Sequence, residues 1–266
     1  MRNITIGQYY PADSILHKLD PRVKFLGTLV FIVSLFLIKG LAGYVFVTVV
    51  LATLVRLSKV PFGMMLKGMK AIIFILIITV IFNMLFTPGE AIFTIWRLSV
   101  TKEGAVQAFR MAIRLSYLII GSSIMTLTTT PNQLTDAMEN LFSPLKVIKV
   151  PVHEISMMMS IALRFIPILM EETDKIMKAQ IARGADFESG NLIKRVTNMI
   201  PLLVPLFVSA FQRANDLAMA MEARCYHGGE GRTRMKPLIY QRRDRIAYGV
   251  LAAFFCLCLS LRLLKF

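Results

Sequence analysis

Charged residues are scarce in this chain, and acidic residues are scarcer than basic ones. Only 18% of its 266 residues are Asp, Glu, Lys or Arg, whereas soluble domains have about a quarter. Hydrophobic residues make up 56% of the chain, and its mean hydropathy is +0.62. This composition excludes an ordinary soluble domain and predicts an integral membrane protein.

Cysteine and histidine are also scarce, with three of each. Cys256 and Cys258 are two residues apart in an apolar segment, so they would point to different faces of a helix, and Cys225 stands alone. His153-Glu154 lacks the second histidine of a zinc-protease motif. These patterns fit neither a disulfide framework nor a zinc site, and we expect no metal and no other cofactor.

Motifs for nucleotide binding and nucleophilic catalysis are missing as well. The chain has no Gly-x-x-x-x-Gly-Lys-(Ser/Thr) sequence, so we expect that it does not bind ATP through a P-loop. No serine or cysteine is accompanied by a recognisable catalytic base. Pro11 and Pro21 interrupt the first 22 residues, and we expect insertion through internal spans rather than a cleaved signal peptide.

Positive charge is present in excess, because 31 Lys and Arg against 16 Asp and Glu give a net charge of +15. Such an excess can serve to bind nucleic acid or anionic lipid. In a membrane protein it is explained more simply by the enrichment of basic residues in cytoplasmic loops. We therefore expect contact with the lipid bilayer and none with nucleic acid.

Five apolar runs predict an all-α, polytopic membrane protein with about five transmembrane helices. The runs cover residues 23–38, 41–55, 71–86, 111–130 and 246–261. Basic residues concentrate in the N-terminal segment, in the 56–70 connection and just before residue 246, which places all three on the cytoplasmic side of the plasma membrane. We expect Arg114 to snorkel from the end of its span.

The segment between the fourth and fifth runs is more polar and predicts long helices on the cytoplasmic side. The predicted division is N-terminal transmembrane helices (1–130), a cytoplasmic helical region (131–235) and a C-terminal transmembrane helix (236–266). Helical patterns cover 152–183 and about 192–224, and each is apolar at its start and basic at its end. Because proline kinks helices, the hinge candidates are Pro167, Pro201 and Pro205.

Both long segments end in the same short pattern, 41 residues apart. The two copies are Ala182-Arg183-Gly184 and Ala223-Arg224-Cys225. The helix dipole favours an arginine in the last turn, and Gly184 suits a helix end, so either triplet alone could be an ordinary C-cap. The repetition, with alanine at matching positions, instead predicts two basic helix ends that dock onto acidic sites of a partner.

Four stretches together resemble the transmembrane T component (EcfT) family of energy-coupling factor (ECF) transporters, a class of ABC importers. They are 14–22 (Ser-Ile-Leu-His-Lys-Leu-Asp-Pro-Arg), 162–167 followed by Glu171 and Glu172, 179–184, and 220–226. The resemblance implies a non-catalytic scaffold that transmits the ATP-driven motion of two cytoplasmic ATPases to a membrane-embedded, substrate-binding S component. It further implies uptake of a vitamin or another micronutrient, with one ATPase bound at each triplet.

Two further expectations concern these partners. Cys225 stands where the family usually has glycine, from which we expect two non-identical ATPases. A second group of residues recurs on one helix face and is either an S-component surface or packing between the two long helices. Its members are Ile155, Met158, Ala162 and Phe165.

Two functions of other classes are weaker alternatives. A polytopic enzyme acting on phosphorylated lipid would use the arginines to hold phosphate, but it would need paired acidic metal motifs, and none converge in the sequence. An insertase or assembly scaffold with a basic cytoplasmic hairpin would explain the positive charge but not the repeated triplet.

Overall fold

The computed structural model describes residues 9–38, 40–88, 91–95, 98–187, 191–229, 235 and 237–263. These residues form nine α-helices, one 3₁₀-helix and one two-stranded hairpin. The elements in order are α1 (Pro21–Leu37), α2 (Leu41–Ser58), α3 (Phe62–Phe86), β1 (Ala91–Ile95), β2 (Leu98–Thr101), α4 (Lys102–Thr128), α5 (Pro131–Phe142), the 3₁₀-helix (Ser143–Ile148), α6 (Val152–Ala182), α7 (Leu192–Asn198), α8 (Ile200–Ala223) and α9 (Arg242–Leu263). The all-α class is confirmed, with the hairpin as a small addition that the sequence did not predict.

The hairpin lies in the connection before α4. Its strands pair antiparallel, with Ile95 opposite Leu98. Thr101 ends β2 and caps α4, because its side-chain oxygen accepts a 3.1 Å hydrogen bond from the Gly104 amide. α4 consequently begins at Lys102, well before the predicted start at residue 111.

The basic connection predicted at residues 56–70 is much shorter in the structure. α2 continues to Ser58, and α3 begins at Phe62 directly after Pro61. Lys59 ends α2 in the left-handed conformation (φ 54°), and its amide donates to the Arg56 carbonyl. Hydropathy alone underestimates both helices, because their ends contain the basic residues that interrupt the apolar run.

Five helical stretches of the described chain are long and apolar enough to cross a membrane: α2, α4, α6, α9 and Ile193–Ala223. The prediction of about five such helices in a multi-pass membrane protein is confirmed, although the helices are not all the predicted ones. α1 has 17 residues, about 26 Å of helix against a hydrocarbon core of about 30 Å. α3 is a continuous helix of 25 residues, which includes the apolar stretch Ile72–Met84.

The chain forms two compact units. Unit 1 comprises Met1–Ala137 and Leu238–Phe266, and unit 2 comprises Met138–Pro237. In unit 1, α1 packs against α4 and α9, and α3 packs against α4. The division at residues 130 and 235 was drawn from membrane spans rather than from contacts, and it stays a prediction.

Aromatic and aliphatic side chains of α1, α2, α4 and α9 build the core of unit 1. Phe254 of α9 stacks on Phe31 and Phe46, with ring centroids 6.2 and 5.7 Å away. Gly121 of α4 lies directly against the Phe31 ring, where a Cβ would collide with it. α1 can therefore approach α4 closely at this point, and Leu35 of α1 is completely buried.

A buried polar cluster joins the N-terminal stretch to α9. Asp20 caps α1, and its carboxylate accepts hydrogen bonds of 2.9–3.1 Å from the amide and guanidinium of Arg22. The Asp20 amide donates to Asp244 Oδ1 at 2.9 Å, and Arg22 lies 3.8 Å from the centroid of the Tyr240 ring. Charged groups can be buried in this way because each of them has hydrogen-bond partners.

Lys24 extends the polar cluster to the end of α4. Its Nζ donates a 2.8 Å hydrogen bond to the carbonyl of Thr128, the last residue of that helix. The starts of α1 and α9 and the end of α4 therefore meet at one face of unit 1. The stretch 14–22, which carries part of the family resemblance, is thus a structural junction in this protein.

Arg114 does not lie near a helix end, and its snorkelling from the end of the membrane span stays a prediction. Because α4 begins at Lys102, Arg114 occupies the middle of the helix. Its Nη2 donates to the Ile38 carbonyl at 3.2 Å and to the Tyr44 hydroxyl at 3.1 Å. It therefore caps the end of α1 and holds the turn between α1 and α2 against α4.

Candidate functional site

The first of the two triplets ends α6. The helix stops at Ala182, and Gly184 takes the left-handed conformation with φ 87°. The Gly184 amide donates to the Ile181 carbonyl and the Ala185 amide to the Gln180 carbonyl, both at 2.9 Å. These are the two bonds of a Schellman motif, which satisfies the free carbonyls of a helix end.

The second triplet ends α8 in the same way. The Cys225 amide donates to the Glu222 carbonyl at 2.8 Å, and the Tyr226 amide donates to the Met221 carbonyl at 3.0 Å. Each of these positions lies 41 residues after its counterpart in the first copy. Cys225 has φ 54°, so it takes the left-handed conformation of Gly184 although it has a side chain. The two ends therefore differ in side chain but share one backbone conformation, which costs a residue with a Cβ about 1–2 kcal/mol.

The arginines of both triplets are exposed. Arg183 has φ −88° and ψ 5°, and Arg224 has φ −94° and ψ 15°, so the two side chains leave the backbone in the same local geometry. Neither guanidinium has a hydrogen bond or an ion pair with the described residues. The remaining triplet residues are exposed as well, namely Ala182, Gly184, Ala223 and Cys225. We call the two exposed triplets the first and second tips.

α6 and α8 lie side by side and antiparallel in unit 2. Near the end of α6, Gln180 Nε2 donates a 3.2 Å hydrogen bond to the carbonyl of Pro201, at the start of α8. Near the other end, Ile161 of α6 and Met221 of α8 line the same cleft. The two tips consequently lie at opposite ends of the helix pair, roughly 35 Å apart at 1.5 Å per residue. Sequence periodicity could not predict this arrangement, because it does not show whether two helices pack parallel or antiparallel.

A charged pair pins the middle of α6 to α8. Glu172 Oε2 accepts two hydrogen bonds from Arg213, at 3.2 Å from Nε and 2.7 Å from Nη2. Glu172 Oε1 accepts a third bond from the Ser209 hydroxyl at 2.5 Å. The paired geometry fixes the rotation of one helix against the other as well as their separation. Sequence patterns did not predict this pair, because the separation of contacting residues changes along an antiparallel helix pair, from 21 residues for Gln180 and Pro201 to 41 for Glu172 and Arg213.

An apolar cleft of about 280 Å³ lies between the two helices beside this pair. The cleft is lined by Ile161, Phe165, Leu169, Ala210, Arg213, Ala214, Leu217, Ala218 and Met221. Phe165 therefore belongs to the packing between α6 and α8. Its predicted companions Ile155, Met158 and Ala162 are exposed and do not line the cleft. The four residues proposed as one surface thus divide between helix packing and an accessible face.

The three hinge candidates occupy different positions in their helices. Pro167 and Pro205 lie inside α6 and α8, where each removes a backbone hydrogen bond. Pro201 lies in the first turn of α8, just after Met199 separates α7 from α8. Proline is well tolerated in a first turn, so Pro201 marks a helix start rather than an internal kink. The hinge role of all three stays a prediction.

Proteins of similar sequence identify the family of this chain. The family model for the cobalt transport protein CbiQ matches residues 12–235. The energy-coupling factor transporter transmembrane protein EcfT of Clostridium kluyveri is 54% identical over 263 residues, which cover 98% of this chain and 97% of that protein. The EcfT protein of Ruminiclostridium cellulolyticum is 54% identical over 96% of this chain and 95% of its own length. The EcfT protein of Bacillus subtilis is 49% identical over 92% of each. The chain therefore belongs to the CbiQ family and, within it, to the EcfT transmembrane proteins of energy-coupling factor transporters.

Proposed function

We propose that this chain couples two cytoplasmic ATPases to a substrate-binding S component, and that its two tips are the ATPase-binding sites. The observation that carries the proposal is the pair of matching Schellman caps, each of which presents an exposed arginine without a partner among the described residues. An exposed guanidinium next to small residues can enter a groove and bind a carboxylate through two hydrogen bonds. Two such ends on one chain fit a pair of receiving subunits.

The antiparallel pairing restricts how the helix pair lies. If α6 and α8 crossed the bilayer side by side, their tips would emerge on opposite faces of the membrane. Both tips can bind cytoplasmic ATPases only if the pair lies along the cytoplasmic membrane face. This position agrees with the expectation from the sequence that the long helices lie on the cytoplasmic side. The N-terminus is then cytoplasmic too, as the distribution of basic residues predicts.

Side chains rather than backbone distinguish the two tips, which supports two non-identical ATPases. Gly184 offers no side chain at the left-handed position, whereas Cys225 offers a thiol. The following residue is Ala185 in the first tip and Tyr226 in the second. Each receiving groove must fit a different surface around the same arginine geometry.

Motion would pass through the helix pair as a unit. When ATP binding draws the ATPases together, each tip is pushed along its helix axis toward the other tip. The Glu172–Arg213 pair prevents one helix from sliding past the other, and Pro167 and Pro205 allow each helix to bend. The exposed residues Ile155, Met158 and Ala162 would then transmit this motion to the S component. The transported substrate would be a vitamin or another micronutrient, held by the S component.

Charge reversal at both tips tests the proposal. The double variant Arg183→Glu/Arg224→Glu should lose copurification with the ATPases in mild detergent and should lose uptake, because like charges would meet in both grooves. Arg262→Glu is the matched control, since this exposed arginine lies near the far end of α9. Normal copurification of the double variant would rule out the tips as the binding sites.

A further inference from the structure

A turn between α5 and α6 exposes an unusual amount of aliphatic surface. Val147 is 87% exposed and Ile148 is 68% exposed, and Phe142 and Leu145 are 39% and 40% exposed. We call residues 142–150 the aliphatic turn. Its exposed side chains have no apolar neighbours on most sides, an arrangement that is unfavourable in water.

The backbone of this turn is well defined. Ser143–Ile148 forms a 3₁₀-helix, and Lys149 closes it in the left-handed conformation with φ 61°. The Lys149 amide donates to the Lys146 carbonyl at 3.0 Å, and the Val150 amide donates to the Leu145 carbonyl at 3.3 Å. These bonds fix the directions in which the aliphatic side chains project.

The base of the turn is held as well. Glu139 in α5 and His153 in α6 form a 3.0 Å contact across the two ends of the turn. The His153 ring lies against Gly229 so closely that a side chain at that position would collide with it. The aliphatic turn therefore projects from a braced base rather than from a free loop.

The charges of the turn identify what covers it. Lys146 and Lys149 alternate with the aliphatic residues, and no acidic residue occurs from position 140 to position 153. Lysine can lay its methylene groups along apolar surface while its ammonium group reaches phosphate. A cationic, aliphatic and acid-free surface matches the interface of an anionic bilayer.

We propose that the aliphatic turn inserts into the headgroup region of the membrane and anchors unit 2 there. Leu145, Val147 and Ile148 would enter the upper acyl-chain region, and the two lysines would bind anionic phospholipid headgroups. Insertion is a property of this chain alone and does not depend on the proposed ATPase contacts. It would hold the α6–α8 pair along the bilayer surface even without the ATPases.

Tryptophan fluorescence in proteoliposomes tests the insertion. The chain has one tryptophan, Trp96, so Trp96→Phe gives a silent background for the full-length protein. The vesicles contain phosphatidylglycerol and phospholipids that are brominated on the acyl chain near the headgroup. The tryptophan fluorescence of Val147→Trp and of Ile148→Trp should be quenched at least about twofold more than that of Lys178→Trp. Lys178 is the control because it is exposed in the same unit. Quenching of both reporters no greater than the control would overturn the proposal.

A second set of experiments tests whether the lysines bind headgroups and whether a protein partner, rather than the membrane, covers the turn. The pair Lys146→Gln/Lys149→Asn removes the charges while asparagine tolerates the left-handed position. In the Val147→Trp background it should lower quenching in phosphatidylglycerol vesicles to the level seen with phosphatidylcholine, and an unchanged value would contradict headgroup binding. Loss of quenching when the ATPases and the S component are added would also overturn the proposal, because a protein partner would then cover the turn.

Discussion

The charged residues of the polar cluster in unit 1 and those of the two tips in unit 2 are arranged in opposite ways. In unit 1, Asp20, Arg22 and Asp244 are buried, and each has hydrogen-bond partners within the chain. In unit 2, Arg183 and Arg224 are exposed at helix ends and have no partner among the described residues. Internally satisfied charges stabilise one arrangement of helices, whereas exposed charges are available to other proteins. This contrast supports the proposal that the polar cluster of unit 1 is a scaffold and that the tips of unit 2 are docking sites.

The largest effect on stability is expected in the polar cluster. Asp244→Ala would leave the amides of Asp20 and Gln241 without the acceptor that they now share. Because Asp244 is 1% exposed, the loss should destabilise unit 1 by about 2–4 kcal/mol. Thermal unfolding in detergent measures this change. Asp13→Ala, at a fully exposed carboxylate, is the control and should unfold like the parent protein; equal unfolding of all three proteins would show that the cluster is not a scaffold.

The second prediction separates docking from transmission. Glu172→Gln and Arg213→Gln should each leave ATPase copurification intact but lower uptake roughly threefold or more, because the helices can then slide. The double variant should be no worse than either single variant, since both remove the same contact. Glu171→Gln alters a neighbouring exposed carboxylate and should transport normally. If the losses of uptake were additive in the double variant, the two residues would not act through one shared contact.

The smallest effects concern the backbone at the tips. Cys225→Gly should stabilise the last turn of α8 by about 1 kcal/mol, and Gly184→Ala should destabilise the last turn of α6 by a similar amount. Hydrogen exchange of the amides in the last turn of α8 should be about fivefold slower in Cys225→Gly. Exchange in the last turn of α6 should be about fivefold faster in Gly184→Ala. Cys225→Ser keeps a Cβ and should exchange like the parent. Faster exchange in Cys225→Gly would show that the left-handed conformation does not limit this tip.

Local sequence signals predicted the carboxyl-terminal ends of α6 and α8 well. Glycine and arginine placed the end of α6 within one residue, because a Schellman cap depends on a few neighbouring residues. Charge balance and apolar length identified a multi-pass membrane protein for a similar reason. Where a polar residue capped a helix early, as Thr101 does for α4, hydropathy missed the true start.

Contacts between distant segments could not be predicted in this way. The antiparallel pairing of α6 and α8 depends on side chains such as Glu172 and Arg213, whose meeting is a property of the folded chain. Phe165 was grouped with Ile155 by spacing, but only packing shows that it lies in the cleft toward α8. Cys225 looked like a departure from glycine, whereas its backbone repeats that of Gly184.

Site-specific photo-cross-linking at the two tips tests the central claim most directly. A photoreactive amino acid would replace Ala182 in one variant and Ala223 in another, and Ile155 in a third serves as the comparison. We predict that the two tip positions cross-link to ATPase subunits, each to a different one, while position 155 cross-links to the S component. Cross-links from neither tip to an ATPase, in a complex that still copurifies with both, would contradict the account.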